Sequence, residues 1–244
     1  MRRFAFAGIW LAIFAAMLVI GTDVSAVGDG HPLSCAAESS PPAAAIPRAY
    51  SNTEAMERQN KISQAFNPSA ETILLGDSLV HAWPGPELRQ VIPTGKILNM
   101  GVGGSMTQNL LWQLSSDQMK TASPKRVLVW IGTNNILVGR DTPCHIATAY
   151  EAIASRIREL WPDAAVYALG IFPAKSRFRD EDRMLVNDQI RQIAQEKHFM
   201  YVNLDAAARC PEEGECDFYV KDGIHLTPSG YQSVGRSLRA SIQD

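Results

Sequence analysis

The chain has no excess of either charge: 23 Lys and Arg stand against 25 Asp and Glu, a formal −2 over 244 residues. Nothing in that balance points to a nucleic-acid partner, which would call for a basic face. No segment recurs at a period of tens of residues, which argues against a repeat architecture. Histidines number five and cysteines four, with no CxxC pair and no histidine cluster, so a zinc site is disfavoured. No calcium or nucleotide motif of useful specificity occurs, and the GxSxG elbow of α/β hydrolases is missing. No metal and no cofactor is expected. What remains is ordinary globular composition, 46% hydrophobic and 20% charged, long enough for one large core.

Charge is also missing from Phe4 to Gly21. This apolar run follows Arg2 and Arg3 and leads to Val24-Ser25-Ala26, small residues of the kind a signal peptidase reads. Residues 1–26 are expected to be a cleaved signal peptide, giving an exported chain with no stable membrane insertion. The run approaches spanning length, so an uncleaved anchor is the alternative. All four cysteines lie beyond Ala26, and an even count in an exported protein suggests two disulfides. Cys210 with Cys216 is the favoured pair, because the loop "CPEEGEC" is short; Cys35 with Cys144 would then tie an N-terminal arm to the body. That arm, residues 27–50, is rich in Pro, Ala, Ser and Gly and reads as extended. The domain proper is expected over residues 51–244.

Within that domain, short apolar runs at 72–76, 96–100, 126–131, 165–171 and 200–204 lack a clean polar alternation, as strands buried on both faces do. Helical stripes fall between them. Thr53–Phe66 reads as a helix with Thr53 as its N-cap. Ala147, Tyr150, Ile153, Ile157 and Leu160 recur at spacings of three and four, as do Val186, Ile190 and Ile193. Tyr231, Val234, Leu238 and Ile242 form the last stripe, after a Thr227-Pro228 start signal. Five strands separated by helices predict a parallel sheet covered on both faces. In such sheets the active site gathers at the carboxyl ends of the strands.

Those ends carry the chemistry. Gly76-Asp77-Ser78 follows the first strand, "NMGVGGSMT" (99–107) the second and "GTNN" (132–135) the third, while "DGIH" (222–225) precedes the last helix. Alone, each fragment reads as a turn or a cap. Together they supply what acyl transfer needs. Ser78 can attack a carbonyl carbon, and His225 can take its proton and return it to the leaving oxygen. Asp222 can fix the imidazole tautomer. The N–H groups of Ser78 and Gly104 and the side-chain amide of Asn134 are candidate donors to the oxyanion.

With these four blocks in this order, the segment from about residue 70 onward resembles the SGNH hydrolases, the GDSL esterase/lipase family. "NMGVGGSMT" followed by "LLWQL", together with "VLVWIGTNN", is most similar to its platelet-activating-factor acetylhydrolase-like branch. The resemblance implies a flavodoxin-like three-layer α/β/α fold. It also implies Ser78 as nucleophile, Asp222 and His225 as triad partners, and Gly104 and Asn134 as oxyanion donors, with Gly103 the alternative in the glycine block. Asn135 stands where many members carry Asp, which leaves less charge near the site. Ser105 replaces an Asp common after the glycine pair, which bears on how that turn is braced.

Other residues are weighed too. His81 is a rival base of doubtful reach, better suited, with Trp83, to shaping a pocket; for Trp83, core or rim packing is an equal alternative. Asp77 braces the turn, Trp112 reads as core, and His31, His145 and His198 read as surface residues. Lys175, Arg177, Arg179 and Arg183 form a solvated loop or an anion-binding rim. No insertion is long enough for a large lid, so a shallow site and short acyl groups, acetyl above all, are expected on a small molecule or a glycan. An acyltransferase, a lysophospholipase or thioesterase, and a non-catalytic envelope-binding module are the alternatives.

Overall fold

The structure is a computed structural model that describes Cys35 and residues 40–174, 180–210 and 216–242. The segment read as a signal peptide lies outside the described residues, as do His31, Lys175, Arg177 and Arg179. Five strands, β1 (Thr72–Gly76), β2 (Ile97–Asn99), β3 (Arg126–Trp130), β4 (Ala165–Leu169) and β5 (Met200–Val202), form one sheet in the order β2-β1-β3-β4-β5. All neighbouring pairs are parallel. The chain moves outward from β1 to β2, then returns to the other side of β1 for β3. Loops therefore diverge above β1 and β3, where doubly wound sheets place their ligands.

β1 matches its apolar run, and the other four strands end one or two residues earlier than theirs suggest. Their hydrogen bonding does not stop there: Met100 N–H donates to Leu74 O (2.9 Å), Val102 N–H to Gly76 O (3.1 Å) and Gly170 N–H to Val202 O (3.0 Å). The last residues of each run thus leave regular pairing while holding the site loops to the sheet.

Successive residues of the buried strands point to opposite layers. Ile73, Leu75, Val127 and Val129 pack with α1 (Thr53–Gln64), α4 (Thr107–Leu114), α5 (Pro143–Leu160) and α6 (Asp180–Glu196). Leu74, Leu128 and Trp130 pack instead with α2 (Ser78–His81), α3 (Gly85–Val91) and α7 (Pro228–Ser241). The result is an α/β/α sandwich with a core on each face of the sheet. The predicted stripes of α5, α6 and α7 are buried, apart from the half-buried Leu160 and Ile242 at their ends.

One local reading is corrected: Asn52, not Thr53, caps α1, its Oδ1 accepting Ala55 N–H at 2.8 Å. Trp83 is buried in the α3/α7 layer, its ring 5.9 Å from Trp130 and 5.6 Å from Tyr231. Trp112 is only half-buried and packs edge-on against Tyr50. The described part of the arm contains a 3-10 turn at Ala43–Ala45, and its Ala44 and Tyr50 are buried. Disulfides join Cys35 to Cys144 at the start of α5, and Cys210 to Cys216. No helix of the described residues is long and apolar enough to cross a membrane.

Candidate active site

Ser78 sits at the first position of α2, directly above β1. A short helix starts there because Asp77 caps it, its Oδ1 accepting Leu79 N–H at 2.9 Å. The first N–H groups of a helix have no partner within it, so the Ser78 N–H is available beside its own hydroxyl. The helix is anchored from three sides. Asn99 Nδ2 donates to Val80 O (2.7 Å) and Tyr231 Oη to Leu79 O (2.8 Å). Behind it the glycine block approaches so closely that a Cβ on Gly101 would lie 2.3 Å from His81 N.

Ser78 Oγ lies 2.8 Å from His225 Nε2, and His225 Nδ1 lies 2.6 Å from Asp222 Oδ2. These three side chains come from opposite ends of the domain, Ser78 and His225 being 147 residues apart. The Asp222–His225 turn is set by Asp222 Oδ1, which accepts the N–H groups of Ile224 (2.8 Å) and His225 (2.9 Å). Partial burial works against the Asp222 charge. The His225 ring and these two backbone donors outweigh it and bring the carboxyl down to about 2. Asp222 is therefore a carboxylate throughout the neutral range, able to hold the imidazole with Nδ1 protonated and Nε2 facing the hydroxyl.

Gly104 and Asn134 meet at the glycine block. Asn134 Nδ2 donates one hydrogen to Ser105 O (3.0 Å), which fixes the amide and leaves its second hydrogen. Gly104 has φ +74°, a left-handed backbone that glycine adopts without strain. The Val102–Gly76 bond ties this block to the residue two before Ser78.

Several supports of the site escaped the sequence reading. Arg58 grips the glycine block from α1, donating to Gly101 O (3.0 Å) and Asn99 O (2.8 Å). Ser105 Oγ is bonded to Tyr50 Oη at 2.9 Å, so the arm braces this turn. Asn135 is fully buried; it accepts Thr107 N–H (2.9 Å) and donates to Asp141 Oδ2 (2.8 Å). An Asp at 135 would face that carboxyl group, so the amide fits here.

His81 is exposed and lies near Gly103 and Arg58, and burial followed by the Arg58 charge lowers its pKa. The bond of the Ser78 hydroxyl runs to His225, not to His81. Asp77 is almost fully buried; its Oδ2 has no hydrogen-bond partner, and desolvation pushes the carboxyl up to about 7. Arg183 is buried in ion pairs with Asp180 and Asp205, so it is no free rim cation. Among the described residues no group of three or more His, Cys, Asp or Glu is placed to hold a metal ion.

Residues 62–233, more than two thirds of the chain, match the GDSL-like Lipase/Acylhydrolase family. Over 188 residues the chain is 29% identical to platelet-activating factor acetylhydrolase IB subunit alpha1 of Rattus norvegicus, covering 74% of this chain and 78% of that one. Among solved structures it resembles a GDSL-like lipase from Bacteroides thetaiotaomicron, with TM-score 0.61 and 18% identity over 75% of this chain and 95% of the other. It also resembles an acetyl-xylooligosaccharide esterase from Geobacillus Stearmophilus, with TM-score 0.55 and 16% identity over 70% and 93% of the two chains. At such identities the structural matches speak for the fold.

Proposed function

The chain belongs to the GDSL-like lipase/acylhydrolase family and is on that ground a carboxylic ester hydrolase; from this premise we propose that it is an exported esterase in which Ser78, His225 and Asp222 carry the reaction. The observation that supports the reading most is the unbroken relay from the Ser78 hydroxyl through His225 to Asp222. In this reading Ser78 Oγ attacks the ester carbon while His225 Nε2 takes the hydroxyl proton. Asp222 stabilises the resulting imidazolium. The developing oxyanion accepts from the N–H groups of Ser78 and Gly104 and from the second amide hydrogen of Asn134. The tetrahedral species collapses, and the alcohol leaves with the proton from His225. Water, deprotonated by the same nitrogen, then releases the acid and restores Ser78.

The preferred acyl group in this reading is short, acetyl above all, on a small molecule or a glycan. The chain has no long insertion to roof the site, and both the acetylhydrolase and the acetyl-oligosaccharide esterase it resembles are named for acetyl substrates. Export accords with the N-terminal apolar run and with pairing of all four cysteines. A panel of aryl esters of increasing acyl length, acetylated sugars, lysophospholipids and thioesters tests the reading, with Ser78→Ala as control. A maximum at long acyl chains would overturn the acyl preference.

A further inference from the structure

Beside the glycine block lies a groove of about 200 Å³, lined by Arg48, Tyr50, Ser51 and Asn52 of the arm and by Gly104 and Met106 among others. We propose that this groove is a substrate subsite that takes a hydroxyl-rich group, a sugar residue of an acetylated glycan lying beyond the reacting ester. The proposal rests on the esterase reading above and deepens it. Its position carries the first part of the argument. The groove runs up to Gly104, whose N–H that reading assigns to the oxyanion, so it borders the proposed oxyanion site on that side.

The groove is built in advance, not left over between loose segments. Arg48 N–H donates to Gln108 O (2.9 Å), and Arg48 O accepts from Asn109 Nδ2 (3.0 Å). Tyr50 is locked to Ser105, and Asn52 is fixed as the cap of α1. Further along the arm, Ala44 O accepts from Thr107 Oγ1 (2.9 Å). Two segments that lie 55 to 63 residues apart in the sequence are thereby stitched into one wall.

Its chemistry carries the second part. Arg48, Ser51 and Asn52, all exposed, are among the residues lining the groove, and their side-chain donors have no protein partner among the described residues. Donors held around a pocket select a ligand rich in acceptors, and an acyl chain placed there would leave them unpaired.

The test compares an acetylated xylo-oligosaccharide with 4-nitrophenyl acetate on the full protein, in the parent and in Arg48→Ala/Ser51→Ala. The ratio of kcat/KM for the oligosaccharide to that for the aryl ester is expected to fall at least about tenfold, through KM. A ratio within about twofold of the parent overturns the subsite, whatever the absolute rates. Should the parent cleave neither ester, the esterase reading fails, and the subsite is decided by calorimetric titration with a deacetylated xylo-oligosaccharide. Binding by Ser78→Ala that weakens about tenfold on adding the two arm substitutions supports it; no binding, or unaltered binding, overturns it.

Discussion

Replacing Asp77 with Asn is expected to remove most of the dependence of stability on pH between about 4 and 7. Asp77 caps the helix that presents Ser78, yet its Oδ2 is buried without a partner. Desolvation raises the carboxyl from 3.8 to about 7, against the pull of Leu79 N–H and of a charged His225. The native state therefore holds a proton that the unfolded chain releases near pH 4. With the folded value above the unfolded one, the stabilisation is complete below about pH 4 and is lost as pH rises towards 7. At ~1.36 kcal/mol for each tenfold change in proton affinity, the rise is worth on the order of 4 kcal/mol. Asn keeps the acceptor for Leu79 N–H but does not titrate in this range. Urea unfolding at pH 5 and pH 8 gives the comparison. The parent should lose about 2–3 kcal/mol more between the two than Asp77→Asn does, since subtracting the variant cancels titrations elsewhere. Equal losses would refute the reasoning and mean that Asp77 is ionised in the native state at pH 5.

Asp222→Asn should lower kcat on an aryl acetate by roughly three to four orders of magnitude, because the amide no longer holds the required imidazole tautomer. A fall of less than about tenfold would contradict the role given to it. Gly104→Ala meets open space at its new Cβ, so its cost comes from φ +74°. Thermal unfolding should show about 1–2 kcal/mol lost, and steady-state kinetics should show kcat falling more than KM. Removing the Cys35–Cys144 disulfide, which spans 109 residues, should cost about 4–5 kcal/mol by the chain-entropy relation, against about 2 for Cys210–Cys216, which spans 6. Denaturant unfolding of the two double-serine variants checks the order, and the reverse order would contradict it.

The sheet was legible because its strands are continuous apolar runs, and burial on both faces erases alternation. Ser78, Asn134, Asp222 and His225 were legible because each sits in a short block at a strand or helix end. Their supports were not. Arg58 reaches Asn99 across 41 residues, and Tyr50 reaches Ser105 across 55. Spacing along the chain carries no trace of such pairs. Asn52 and Thr53 are adjacent residues that can both cap, so only the reach of Oδ1 to Ala55 separates them. The choice between core and pocket wall for Trp83 stayed open in the sequence, because the four-residue α2 just before it is too short to define a buried face by periodicity. The arm read as extended from its composition, although Tyr50 buries its ring against Trp112.

The central claim is that Ser78 forms the acyl-enzyme. Its most direct test is the intact mass of the protein after treatment with a fluorophosphonate, followed by mapping of the labelled peptide. A single adduct on Ser78, absent from Ser78→Ala together with all ester hydrolysis, is the predicted result. Labelling of another residue, or hydrolysis that persists in Ser78→Ala, would contradict the account.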